Sequence, residues 1–285
     1  MRRTGQPNHS ALLGPMFVTA GLAVAGLAAI MVLEHRVPLR RQSQTEPRRT
    51  IQNLVLGLSS MAVVAAAEGP LVGRLARLVE RRRWGLAQRL PAAPWLRDIV
   101  AALGMDYTMY VWHVLTHKVP FLWRFHLVHH VDLDLDSTTA LRFHAVDMLI
   151  SIPWRAAQVL VLGTSARALS AWQRFFFASV VFHHSNIRLA PRLERALAAV
   201  LTTPSMHGIH HSTVVDQTNS NWSAGLSLWD HLHRTFRLDV PQRRIRIGVP
   251  GYRDVSELRV WPSLAMPFRR QRDAWQQTRQ PAAVR

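Results

Sequence analysis

The 285-residue chain contains no cysteine, and this absence removes several kinds of site at once. Without thiols there is no disulfide, no thiolate zinc site, no cysteine-held iron–sulfur cluster and no thiol nucleophile. Any bound metal must therefore be held by nitrogen and oxygen atoms. The chain has fifteen histidines, which makes imidazole nitrogen the first candidate.

Acidic residues are few, since 17 Asp and Glu stand against 35 Lys and Arg, and Lys118 is the only lysine. Charged residues make up 18% of the chain and hydrophobic residues 48%, a balance that excludes disorder for most of its length. The net charge of +18 would suit nucleic acid. The apolar runs indicate that this positive charge faces the phosphate groups of membrane lipids instead. We therefore expect a membrane, and no nucleic acid, as partner.

Apolar runs divide the chain into three regions. Residues 1–94 form an amino-terminal membrane segment, with transmembrane helices predicted near 16–34 and 51–72 and an arginine-rich linker. Residues 95–240 hold further apolar runs that contain ionisable side chains, which favours a bundle interior over lone lipid-facing spans. Residues 241–285 are a basic carboxy-terminal tail without a clear fold signal.

Eight of the histidines lie in three clusters, two of which have the same H-x-x-H-H form. The clusters are His113 with His117, then His126, His129 and His130, and finally His207, His210 and His211. On a helix, positions i, i+3 and i+4 share one face, so each cluster directs its imidazoles toward one point. Neutral imidazole suits Fe, Zn, Cu and Ni, while few carboxylates argue against Mg and Ca. Eight imidazoles exceed the needs of one four-coordinate zinc and suit two metals sharing a site.

The clusters and their surroundings resemble the fatty acid hydroxylase/sterol desaturase superfamily of integral-membrane non-haem di-iron proteins, most closely its bacterial sterol desaturase members. The similarity covers about residues 106–237, in the order and spacing of the family. The motifs that carry it are Tyr110-Val-Trp-His113-x-x-x-His117, Leu122-Trp-Arg-Phe-His126-x-x-His-His130, Arg142-Phe-His144, His184-Ser-Asn186, Thr203-Pro-Ser-Met-His207-x-x-His-His211 and Leu226-Ser-Leu-Trp-Asp230.

The resemblance implies that the motif histidines ligate two iron ions, with O2 as co-substrate and zinc as a substitute in purified protein. Two further positions match family histidines, His144 and His184. Ala145 and Asp147 replace the proline and glutamate that usually follow the first of these. The chain has no cytochrome b5 haem motif, so a separate electron donor is implied, such as a ferredoxin or a cytochrome with its reductase.

The expected fold is all-α: an integral-membrane helical hairpin bundle with a cytosolic helical cap that carries the dinuclear site. Residues 146–182 should form a hairpin that turns near Gly163-Thr-Ser165 and so brings the early and late histidines together. Asp106 and Asp230 are expected to support the site, because carboxylates near imidazole ligands often fix their orientation. The resemblance places the protein in the bacterial inner membrane, with the metal site facing the cytoplasm.

The leading interpretation is an oxidoreductase that hydroxylates or desaturates a C–H position of a lipid, whether sterol, hopanoid, carotenoid or fatty acyl chain. Such bonds are too strong for acid–base chemistry, so metals and O2 are required. Three alternatives stay open at this stage. The chain can be a histidine-lined metal transporter, a bis-imidazole haem protein for electron transfer, or a catalytically inactive member of the family.

Overall fold

The structure is a computed structural model, and it describes residues 25–44 and 47–275. Within that part of the chain the protein is all-α, and extended backbone pairs only through isolated bridges such as Pro38 with Ile187. The prediction of an all-α fold is confirmed. Of the predicted span near 16–34, residues 25–34 lie in a helix (α1, 25–36), and residues 16–24 lie outside the described part.

Twelve further helices follow along the described chain. They are α2 (Arg48–Val63), α3 (Gly69–Arg82), α4 (Leu86–Arg89), α5 (Pro94–Lys118), α6 (Pro120–His130), α7 (Ala145–Leu162), α8 (Ala166–His184), α9 (Pro191–Ala198), α10 (Pro204–His210), α11 (Val215–Thr218), α12 (Leu228–His233) and α13 (Val260–Ala265). Proline stands in the first turn of α5, α6, α9 and α10, where its missing N–H breaks no helical hydrogen bond. The helices α2 and α3 pack on α7, while α5 packs on α6, α7 and α8.

The sequence Glu68-Gly69-Pro70 does not end the second apolar helix. Residues Val64–Glu68 form a π-helical segment between α2 and α3, in which the N–H of Gly69 donates to the Val64 carbonyl. Pro70 has no N–H to place in the wider turn, so a π segment before it lets the helix continue. The result is one long rod from Arg48 to Arg82.

The hairpin predicted over residues 146–182 is confirmed as α7 and α8. Helix α7 ends where Gly163 adopts φ of 75°, and the Ser165 hydroxyl accepts the Ala168 N–H to start α8. Gly85, also with positive φ, packs on this turn so closely that a Cβ there would lie 2.3 Å from the Gly163 nitrogen. The turn and the end of α3 are therefore fixed together.

Two helical segments among the described residues are long and apolar enough to cross a membrane, Arg48–Arg89 and Ala145–Leu162. This is a statement of length and composition. Only 28% and 22% of their most apolar windows are buried inside the molecule, and large apolar side chains such as Leu58 and Val161 are exposed. The predicted span near 51–72 lies within the first segment.

The acidic stretch after α6 is buried, not solvated. Asp132 and Asp136 pair with the Arg49 side chain, and Asn53 donates to Asp132 at 3.1 Å. Burial alone would raise the pKa of Asp132, but the adjacent Arg49 charge lowers that pKa to about 2. Asp134 accepts the Ser43 and Gln44 N–H groups, both at 2.7 Å. These carboxylates fix the start of α2 to the end of α6.

The carboxy-terminal region is folded as far as the structure describes it. Val249, Tyr252, Leu258 and Met266 are buried in one core with Leu127 of α6. The part of the predicted basic tail within residues 241–275 is thus packed against the helix that carries the second histidine cluster.

Candidate metal centre

Four separate segments bring the predicted ligands together. The carboxy-terminal ends of α5, α6 and α8 converge with α10, and Val119 alone links α5 to α6. The hairpin α7–α8 returns the chain to the same end of the bundle. The imidazoles that meet there are those of His113, His117, His129, His130, His184, His207, His210 and His211.

One group of four consists of His113, His117, His130 and His210. One ring nitrogen of each lies within 4.8 Å of the others. The Nε2 atoms of His117, His130 and His210 are buried without a hydrogen-bond partner among the described residues. Buried polar atoms are normally satisfied, so three orphaned nitrogens in one group fit a metal ion as their common partner.

The second group consists of His129, His184, His207 and His211, and all four side chains are buried. Their Nε2 atoms approach closely, at 3.0 Å for His129 and His184, 3.0 Å for His184 and His207, and 3.0 Å for His207 and His211. Nitrogen ligands of one transition metal lie about 2.0–2.1 Å from the ion. Neighbouring ligand atoms about 3 Å apart are compatible with that bond length.

Backbone carbonyls determine which nitrogen of these rings faces the group. Nδ1 of His184 donates to the Val180 carbonyl at 2.8 Å, and Nδ1 of His129 donates to the Arg142 carbonyl at 3.3 Å. With the proton on Nδ1, each Nε2 presents a lone pair, and the two lone pairs face each other. Lone pairs at that distance repel, and a shared cation turns the repulsion into coordination. The second group therefore fits a metal ion as well.

The same arrangement orients the first group. Nδ1 of His113 donates to the Trp222 carbonyl at 2.7 Å, and Nδ1 of His210 donates to the Ser220 carbonyl at 2.9 Å. Burial, followed by the neighbouring imidazoles, holds the pKa of His113 well below its usual range. Burial lowers the pKa of His210 to about 3. The rings are thus neutral at physiological pH, which is the form that binds metal.

The two groups adjoin each other. His129 and His130 are consecutive on α6, and the rings of His130 and His211 stack with centroids 4.2 Å apart. Each group supplies four nitrogens, which matches the ligand number of a transition ion with histidine ligands. The donor set fits two metal ions side by side.

Two predicted ligands lie outside both groups. His126 is buried beside them, its ring centroid 4.9 Å from that of His117, and neither of its nitrogens has a hydrogen-bond partner among the described residues. His144 is turned away: its Nε2 donates to the Leu264 carbonyl at 3.2 Å, and its Nδ1 accepts the Val146 N–H at 3.1 Å, which caps α7. Both nitrogens of His144 are therefore occupied by backbone groups.

His183, for which the sequence leaves a ligand role and a packing role both open, lies against the second group. Its ring centroid is 4.1 Å from that of His207, and its Nδ1 is buried without a hydrogen-bond partner among the described residues. Its place next to His184 was the one sequence signal that pointed to it.

Asp106 and Asp230 accept hydrogen bonds from backbone, tryptophan and threonine groups, and from no imidazole among the described residues. Asp106 accepts the Leu226 N–H at 3.0 Å and the Trp229 indole N–H at 2.7 Å. Asp230 accepts the Trp222 N–H at 2.8 Å, and the carbonyl of that same tryptophan orients His113. The two carboxylates fix the 222–230 segment against α5. They therefore act on the candidate ligands indirectly, through the backbone that orients His113.

Arg142 and Phe143 also shape the site, although no separate role is predicted for them from the motif that contains them. Arg142 is fully buried and donates to Asn53 at 2.9 Å and to Ser263 at 2.9 Å, so its carbonyl is held against His129. Phe143 stacks on the His129 ring, with centroids 4.4 Å apart and planes at 9°. Their position in the Arg-Phe-His motif was the available signal.

A cavity of about 160 Å³ opens beside the two groups. Side chains from α5, α7 and α8 form most of its wall, and imidazoles form one end. Apolar members of the wall include Met109, Trp112, Met148, Phe176 and Val180. Such a mixture of apolar wall and nitrogen ligands is typical of a site that takes an apolar molecule.

Comparison with known proteins gives matches over the same region. The fatty acid hydroxylase family model matches residues 99–235, which include every histidine of the two groups. The chain is 27% identical over 252 residues to the ornithine lipid hydroxylase OlsE of Rhizobium tropici, which covers 86% of this chain and 73% of that protein.

Alkylglycerol monooxygenases match a shorter part. The human protein is 27% identical over 139 residues and the Xenopus tropicalis protein 28% over 141 residues, and each match covers 30% of the relative. The chain therefore spans less than a third of those proteins. No solved structure matches the chain. Together the family match and these relatives support the resemblance to the fatty acid hydroxylase superfamily that the histidine motifs indicate.

Proposed function

We propose that this protein is a member of the fatty acid hydroxylase superfamily and acts as a membrane-bound, O2-dependent di-iron oxidoreductase that hydroxylates a C–H position of a lipid. The observation that carries the proposal is the division of eight imidazoles, six of them buried and those of His113 and His117 half-buried, into two adjoining groups of four beside a largely apolar cavity. One metal ion would need only one such group. A surface or packing role would not leave so many buried nitrogens without partners.

The two groups would each hold one iron ion, and zinc would replace iron in overexpressed protein. Bound iron would supply the O2-derived oxidant that a strong C–H bond requires. The chain itself keeps the ligand nitrogens unprotonated through burial and aims them through carbonyls such as those of Trp222 and Val180. His126 and His183 line the cavity beside the two groups, where we assign them the positioning of substrate or of a ligand.

The substrate we propose is an amphiphilic lipid, since the cavity accepts an apolar chain and the named activities of the relatives are lipid hydroxylation and alkylglycerol monooxygenation. Hydroxylation is favoured over desaturation for the same reason. The cavity wall from α7 belongs to a helix that is apolar enough to cross a membrane. A lipid can therefore enter from the bilayer, with the site at its cytoplasmic face, as expected for a bacterial inner-membrane enzyme.

The test is purification in mild detergent, followed by metal analysis and lipid oxidation under 18O2 with a bacterial lipid extract. We expect about two transition metal ions per chain and one 18O atom in a lipid product. His210→Ala should lose metal and activity, whereas His35→Ala, an exposed histidine that bonds only to the Met31 carbonyl among the described residues, should keep both. A chain without metal, a haem absorption band, or metal flux into vesicles without lipid oxidation would each overturn the proposal.

A further inference from the structure

A cleft on the surface next to the second imidazole group carries an excess of positive charge. It has a volume of about 230 Å³, and Arg40, Arg41, Arg246 and Arg253 line it. Asp134 is its one carboxylate among the described residues, and the Ser43 and Gln44 backbone already occupies both of that carboxylate's oxygens.

Arg40 is buried and donates to the Gln242 side chain at 2.6 Å, whereas the other three guanidinium groups of the cleft form no ion pair with the described residues. Arg41 and Arg246 are exposed and form no ion pair with the described residues, and Arg253 donates only to the Ile247 carbonyl, at 3.1 Å. The repulsion between Arg246 and Arg253 adds to burial in lowering the pKa of Arg253. A cluster of like positive charges attracts a molecule whose surface is negatively charged.

The cleft is connected directly to a metal-ligating segment. The N–H of Gly248 donates to the carbonyl of His211 at 3.0 Å, and the N–H of Thr213 donates to the carbonyl of Arg246 at 2.8 Å. The backbone that carries Arg246 is thus hydrogen-bonded to the residue that supplies an imidazole of the second group. A molecule bound in the cleft would lie next to the centre without entering the lipid cavity, which lies among α5, α7 and α8.

The proposed reaction defines what that molecule must bring. Hydroxylation consumes RH, O2, two electrons and two protons and yields ROH and water, so one oxygen atom enters the lipid and the other is reduced to water. The lipid supplies one pair of electrons and O2 accepts four, so two must come from a reductant. Resting on the proposed function, we propose that the cleft is the docking surface for an acidic one-electron carrier protein, which delivers these electrons in two encounters.

The experiment measures binding, so it does not depend on turnover. The full chain in detergent micelles is titrated with an oxidised acidic [2Fe–2S] ferredoxin at low and high salt. We expect binding at low salt that weakens as salt screens the charges. The double variant Arg246→Glu/Arg253→Glu should bind about tenfold more weakly or worse. Arg82→Glu, the same charge reversal at the end of α3 near the Gly163 turn, should bind as the unmodified protein does.

The other outcomes of the binding experiment contradict the docking proposal. Equal binding by the double variant and the unmodified protein, or no binding of ferredoxin by the latter, would overturn it. If the double variant binds ferredoxin normally but co-purifies with less phosphatidylglycerol, the cleft is a headgroup site. Lipid oxidation driven by ferredoxin and its reductase is scored separately: its absence despite salt-sensitive binding would refute the proposed function and leave the docking surface standing.

Discussion

Replacing Asp230 tests whether this buried carboxylate stabilises the candidate metal centre indirectly, through the backbone of Trp222. Its oxygens accept the Trp222 N–H at 2.8 Å, the Ser223 N–H at 3.0 Å and the Thr235 hydroxyl at 2.7 Å. Asp230→Ala leaves the two backbone donors buried without an acceptor. Each such donor costs about 1–3 kcal/mol, so the free energy of unfolding should fall by about 2–6 kcal/mol.

The same change should loosen a ligand. Because the Trp222 carbonyl orients His113, a shifted tryptophan backbone should lower metal affinity by about 10–100-fold. Asp230→Asn keeps one acceptor oxygen and places an amide N–H₂ against the other donor, so its effect should be intermediate. Asp216→Asn is the matched control, because Asp216 is exposed.

The assay is chemical unfolding together with metal analysis after dialysis against a weak chelator. We expect the loss of stability and the loss of metal both to increase in the order Asp216→Asn, Asp230→Asn, Asp230→Ala. If Asp230→Ala loses stability but keeps its full metal content, the tryptophan segment does not position His113. If it keeps both, the hydrogen bonds at Asp230 contribute nothing to the site.

Three further predictions address other parts of the molecule. His144→Ala should keep its metal, unlike His210→Ala, because both nitrogens of His144 bond to backbone groups; metal analysis that shows equal losses would make it a ligand, as the family motif implies. The pKa of Asp132 in the folded chain is about 2, below its ordinary value of 3.8. Ionisation of Asp132 therefore adds about 2 kcal/mol to the free energy of unfolding above pH 4, and this contribution is lost as the pH falls toward 2. Unfolding curves of the unmodified chain should show this loss, and an Arg49→Met variant should lack it. Gly85→Ala combines a positive φ with a Cβ placed 2.3 Å from a backbone nitrogen, so its unfolding midpoint should fall well below that of the unmodified chain.

Much of the site could be predicted because its signal lies in local spacing. The i, i+3, i+4 pattern of His126, His129 and His130 places three rings on one helical face whatever the rest of the fold does. The helical hairpin was equally predictable, since the turn at Gly163 separates two apolar runs that are each long enough to return the chain.

Which histidines lie inside the two groups could not be predicted from their spacing in the sequence. His126 shares a triplet with two residues of the groups but lies outside both, because the outcome depends on how α6 rotates against α5 and α10. His144 was assigned from a motif, yet its nitrogens bond to the Leu264 carbonyl and the Val146 N–H. Backbone partners of this kind carry no side-chain signal in the sequence.

The acidic stretch shows a second limit. Asp132 and Asp136 follow a histidine cluster, a position that by itself is compatible with carboxylates that orient ligands and with a solvated loop. They pair instead with Arg49, some 80 positions earlier in the chain. A contact between such distant positions depends on the packing of α2 against the end of α6, which composition and periodicity do not encode.

The spread of the candidate ligands along the chain would give the proposed metal ions a part in folding as well as in chemistry. In the second group, 55 positions separate His129 from His184 and 23 separate His184 from His207. Closing a loop of about 55 residues costs roughly 3–4 kcal/mol of chain entropy, which metal–nitrogen bonds would oppose much as disulfides do in secreted proteins. A chain that has no cysteine would thus obtain its long-range cross-links from its cofactor, and cells starved of metal would accumulate a loosened, protease-sensitive form.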